Sequence, residues 1–135
     1  MQLIDQSRWN ELFEQAKAVS DFAYCPFSNF RVGAAVLSED GRIFAGCNVE
    51  NASFGLTICA ERNAVFQAIA SGATKIVAVA IFTPTQVAAA PCGACRQVLA
   101  QFGRQAIVRS FCESVDILER SVPDLLPDPF LFEGG

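Results

Sequence analysis

The chain has 135 residues, 52% of them hydrophobic and 18% charged, which fits one domain spanning 1–135 with a buried core and excludes a disordered polymer. A net charge of −4, with ten scattered basic residues, argues against a nucleic-acid polymer as partner and for a small, uncharged or locally anchored ligand. No apolar run is long enough to span a membrane, and the charged N-terminal stretch is unlike an export signal, so the expected setting is cytoplasmic. In such a reducing compartment the six cysteines, at 25, 47, 59, 92, 95 and 112, read as metal ligands, catalytic groups or buried thiols rather than disulfides.

In chain order, residues 6–19 are predicted to be a helix, with Trp9, Leu12, Phe13, Ala16 and Val19 at helical spacing and Asp5 as its cap. VGAAVLS (32–38) and RIFAGCNV (42–49) read as strands of a hairpin, joined through an Asp-Gly turn. Residues 59–71 follow as a helix stopped by Gly72. The continuous apolar run KIVAVAIF (75–82) suits a strand covered on both faces. A second helix is expected from about 93 to 102, ending at Gly103. Short strands are expected at 106–110 and 114–118, then a brief helical turn in VPDLLPDPF. This order predicts a three-layer α/β/α domain around a mixed sheet of about five strands.

On that map Cys59 opens one helix, and Cys92 and Cys95 lie across the start of the next. Unpaired N–H groups at helix starts favour thiolates, and three soft sulfurs point to zinc. Three protein ligands leave a fourth position for water, the pattern of a catalytic rather than a structural zinc. The surplus negative charge calls for cations nearby: Arg62 and Arg96 adjoin the two clusters, and Arg62 is the expected donor to a sulfur. With no histidine in the chain, Glu61 is the expected proton shuttle. Plainer readings stand beside these. Glu61 suits a first helical turn, Arg62 a solvated helix face, and the C-x-x-C pair a redox site or, with a fourth cysteine, a non-catalytic zinc module. Cys47 and Cys112 read as inert buried thiols.

Cys-Ala-Glu at 59–61, followed by Pro-Cys-Gly-Ala-Cys at 91–95, resembles the zinc-deaminase signature in its three-cysteine form. With PFSNFRVGAAVLSEDGRIFAGCNVENASFG and LLPDPF, the resemblance extends over nearly the whole chain and is to the small free-nucleoside cytidine deaminases. The resemblance implies one Zn²⁺ per subunit on Cys59, Cys92 and Cys95, with Glu61 as the catalytic proton carrier. It implies hydrolysis of cytidine and deoxycytidine to uridine and deoxyuridine with release of ammonia, as in pyrimidine salvage. A modified cytosine nucleoside or a nucleoside antibiotic is the alternative substrate.

By the same resemblance Asn48 and Glu50 hold the sugar, Phe30 lies beside the pyrimidine, and main chain at Ala60 and near Ala90 meets the base edge. From pattern alone Glu50 also reads as a solvated strand-end charge and Phe30 as core packing. The family's homotetramers share sites between subunits, which implies Ala52 and Phe54 from one neighbour and Phe130 from another. Phe27 and Phe54 stand where relatives often carry Tyr, and Pro84 where an acidic residue is common.

Overall fold

The computed structural model describes residues 3–132. The first helix, α1 (Gln6–Ser20), buries Trp9, Leu12, Ala16 and Ser20 along one stripe. Asp5 occupies its N-cap position but works through the main chain: its carbonyl accepts the N–H of Arg8 and Trp9, and its carboxylate makes no capping bond. The hairpin strands are β1 (Gly33–Ser38) and β2 (Ile43–Cys47). At the turn Gly41 takes a φ of 95°, a region open to glycine. The predicted second strand runs on to Val49, but regular pairing ends at Cys47, and Val49 makes only isolated bridges, to Tyr24 and Ile58.

Helix α2 (Ala60–Ala70) follows a single 3₁₀ turn and is stopped by Gly72, at a φ of 94°. Strand β3 (Ile76–Phe82) is buried throughout, as its apolar run requires. Helix α3 (Gly93–Phe102) then crosses to β4 (Ile107–Phe111), which lies parallel to β3. The last strand, β5 (Leu118–Ser121), is an antiparallel edge, followed by a four-residue helix α4 (Val122–Leu125) that the Ser121 hydroxyl caps. The sheet order is β2-β1-β3-β4-β5.

The predicted strand at 114–118 is displaced: only Leu118 belongs to β5. Val115 and Ile117, the apolar residues that suggested a strand, are exposed. Residues 113–117 instead brace a neighbouring loop. Ser114 Oγ donates to the Gln86 carbonyl at 2.7 Å, and the Asp116 carboxylate accepts the Ala88 N–H at 2.9 Å.

Alternating side chains divide the core in two. Ala35, Leu37, Ala78, Ala80 and Phe82 pack under α1, whereas Ala34, Val36, Val79, Ile81 and Val108 pack under α2 and α3. Two glycines let the helices approach the hairpin. A Cβ on Gly33 would lie 1.9 Å from the Ala16 carbonyl oxygen, and one on Gly46 would lie 2.5 Å from the Ala64 nitrogen. With α2 seated this closely, its first turn and that of α3 come together beyond the carboxyl end of β3. Ligand sites of parallel α/β units form at such strand ends.

Candidate active site

The helix starts expected to carry the chemistry do meet. Cys59 is the N-cap residue of α2 and Cys92 that of α3, with Cys95 one turn inside. The three sulfurs lie within 4.8 Å of one another, with Cys59 to Cys92 at 3.7 Å and Cys92 to Cys95 at 3.5 Å. This spacing and these soft donors fit one zinc ion. The Cys95 thiol, then the Arg62 guanidinium and Cys92, hold Cys59 down to about 5, while contact with Cys59 and burial push Cys95 up. The cluster thus holds a thiolate ready for a metal. Among the described residues no fourth ligand joins it. Cys112 is buried and bonded to Ser114 and Asp116, and Cys47 is half-buried, with burial raising its thiol.

Arg62 donates from Nη2 to the Cys59 sulfur at 3.4 Å. Arg96 does not face the sulfurs in the same way: its guanidinium is spent on the carbonyls of Pro91 and Leu125, at 2.8 and 3.0 Å, which fasten α4 to the start of α3. Glu61, in the first turn of α2, is only 6% exposed. Burial is the main cause that raises its carboxyl to about 7, with the Cys59 charge adding to it. A carboxyl poised near neutrality can both take and give a proton.

A cavity of about 270 Å³ opens beside the cluster. Phe30, Asn48, Glu50, Ala60, Glu61, Ala90, Cys59 and Cys92 all line it, so residues from four separate segments meet here. Asn48 has a structural duty as well. Its Oδ1 accepts the Val32 N–H at 2.9 Å and its Nδ2 donates to the Phe30 carbonyl at 2.8 Å, leaving one amide hydrogen. Glu50 is held by Phe27 and Ser28. The Ser28 hydroxyl is the main cause that keeps its carboxyl below the usual range.

Ala52, Phe54 and Phe130 do not line this cavity. All three are at the surface, except that Phe54 packs edge-on to Phe27, with ring centres 5.6 Å apart. These two phenylalanines border a second hollow that shares Ser28, Glu50 and Thr57 with the first. Pro84 lies on a different cleft, beside Lys17, Arg31 and Glu113, away from the sulfurs. Sequence reasoning did not single out Ser28, Thr57 or Thr83, which also line the cavity. Ser28 and Thr57 fall inside the PFSNF and TICAE stretches, but nothing there marked either side chain.

The family profile described as "Cytidine and deoxycytidylate deaminase zinc-binding region" matches residues 6–110. A cytidine deaminase of Sporosarcina psychrophila is 43% identical over 122 residues, covering 89% of each chain. One from Mycobacterium tuberculosis is 41% identical over 122 residues, covering 90% of this chain and 89% of its own. The crystal structure of cytidine deaminase from Burkholderia pseudomallei superposes with a TM-score of 0.85 at 48% identity, covering 90% of this chain and 98% of that one.

Proposed function

Because the chain belongs to the zinc-binding cytidine and deoxycytidylate deaminase family, we propose that it hydrolyses cytidine and deoxycytidine to uridine and deoxyuridine, releasing ammonia. The observation that carries this reading is a buried carboxyl, Glu61, set beside three converging sulfurs at the wall of a nucleoside-sized cavity. Cys59, Cys92 and Cys95 would hold zinc, which supplies Lewis-acid activation of water. Phe30, Ile81 and Ala90 offer apolar walls to the pyrimidine, and the remaining acceptor of Glu50 and the spare amide hydrogen of Asn48 face the sugar. Main chain at Ala60, on the cavity wall, would meet the base edge. Glu61 would carry one proton of the attacking water to the ring nitrogen and then the second, from the new C4 hydroxyl, to the departing amine. A C4–O bond forms, the C4–N bond breaks, and ammonia leaves.

The cavity favours a nucleoside over its 5′-phosphate. Among its described lining residues there is no lysine or arginine, and the ionisable groups present, Glu50, Glu61, Cys59 and Cys92, are all acids. A phosphate dianion there would be desolvated without a cation. The test supplies the zinc-loaded protein with deoxycytidine and deoxycytidine 5′-monophosphate and follows ammonia. The nucleoside is expected to turn over on the order of 100-fold faster, as for an unpaired buried charge. Equal turnover would overturn this reading.

The assembly we propose is a homotetramer, with Phe130 and the Ala52–Phe54 segment completing neighbouring sites. Phe54 and Phe130 are 74% and 73% exposed, with Phe22 and Phe132 likewise open, rings that contact between copies would cover. The reduced sulfurs of the cluster suit the cytoplasm. Among the described residues no helix is long and apolar enough to cross a membrane.

A further inference from the structure

Ser28 joins two cavity walls that come from distant parts of the chain. Its backbone N–H and that of Phe27 donate to Oε1 of Glu50, at 3.2 and 2.9 Å. Its hydroxyl donates to Oε2 of the same carboxylate and accepts the backbone N–H of Phe30 at 3.0 Å. The loop is shaped for this. Asn29 sits in the left-handed region at a φ of 56°, a conformation that asparagine tolerates, and its N–H closes on the Cys25 carbonyl at 2.9 Å. Ser28 and Phe30, on either side of that turn, therefore both reach the cavity.

Counting acceptors shows what the hydroxyl decides. A carboxylate offers about four acceptor positions. Two on Oε1 are taken by backbone N–H groups and one on Oε2 by Ser28, which leaves a single position on Oε2. Without the hydroxyl, Oε2 would have two open positions and the carboxylate could rock about its backbone anchors. The Phe30 N–H would lose its acceptor at the same time.

We propose that Ser28 is a positioning residue whose hydroxyl locks the Glu50 carboxylate and the Phe30 backbone into one unit, so that sugar and base are held in a fixed mutual geometry. This rests on the reading of Glu50 and Phe30 as sugar and base contacts. Binding geometry set in this way acts on substrate and transition state alike and so is read mainly in KM.

The experiment is a double-mutant cycle with Ser28→Ala, Glu50→Ala and the pair, measured as kcat and KM for cytidine on zinc-loaded protein. Ser28→Thr serves as rescue, and zinc content and melting temperature as controls of folding. Ser28→Ala is expected to raise KM about tenfold with kcat changed less than about threefold, and Ser28→Thr to recover most of the loss. In the Glu50→Ala background the Ser28→Ala penalty should shrink to about threefold or less, the remainder being the Phe30 contact. If Glu50→Ala raises KM but the two penalties simply multiply, or Ser28→Ala has no effect, the proposal fails while the sugar reading stands. If Glu50→Ala itself leaves KM unchanged, the sugar reading fails and this proposal with it.

Discussion

Glu61 and Arg62 are adjacent in sequence yet serve opposite electrostatic ends. Glu61 is driven toward its neutral form by burial, and Arg62 offsets the negative charge of the sulfurs by donating to Cys59. The arginine Nε is buried with no partner among the described residues, so the side chain is held for its Nη2 contact at some cost. Replacing Arg62 with Ala is accordingly expected to weaken zinc binding about 10–100-fold, the usual effect of removing an outer-sphere donor. Competition with a chelator measures it, and an unchanged affinity would show that the contact does not tune the metal. The sulfurs were legible in the sequence from the C-x-x-C spacing and a third cysteine at another helix start, and Glu61 from its place two residues past Cys59 in a chain without histidine, since alone it also suits a first helical turn. Ser28 was not, because its role depends on a carboxylate 22 positions away that only folding brings near.

At the scale of elements, strong local signals were readable. The Asp-Gly turn, the apolar run of β3 and the periodicity of α1 all fold as their patterns require. β5 was misplaced because it is a polar edge, with Glu119 and Arg120 exposed, while the more apolar residues before it lie in a loop. The hairpin turn also carries an acid-sensitive lock. Hydrogen bonds from the Arg42 guanidinium and then the Ser38 hydroxyl hold Asp40 down to about 2, below its ordinary 3.8. A carboxyl whose folded pKa is depressed stabilises the fold fully above its unfolded pKa and loses that effect as pH falls through the folded value. Asp40→Asn should therefore lower the urea midpoint slightly at pH 6, with the gap to the parent closing between about pH 4 and pH 2. A gap that does not change with pH would refute the lock.

For the whole molecule, the open question in the sequence was which residues belong to one cavity and which to a neighbour's. The fold answers the first part, by showing which residues line this chain's own cavity. Asn48 and Glu50 line this chain's cavity, whereas Phe130 is turned to the surface, its backbone N–H and carbonyl both gripped by the Gln97 side chain at 3.0 and 3.1 Å. Sequence patterns record burial and periodicity, not which copy of a chain a surface ring meets, so this division had to come from resemblance. Phe130→Ala should be impaired on its own. Co-assembled with Glu61→Gln, it should regain activity above the sum of the two separate variants, because mixed assemblies contain sites with both residues intact. Activity that never exceeds that sum would place Phe130 outside a neighbour's site.

The most direct test of the central claim is ammonia release from cytidine by the parent protein and by Glu61→Gln, with zinc measured in both. The account predicts rapid release by the parent, a fall of about 10²–10⁴-fold in kcat for the variant, and zinc near one per chain in each. Full activity in the zinc-loaded variant, or no release from the zinc-loaded parent, would contradict it.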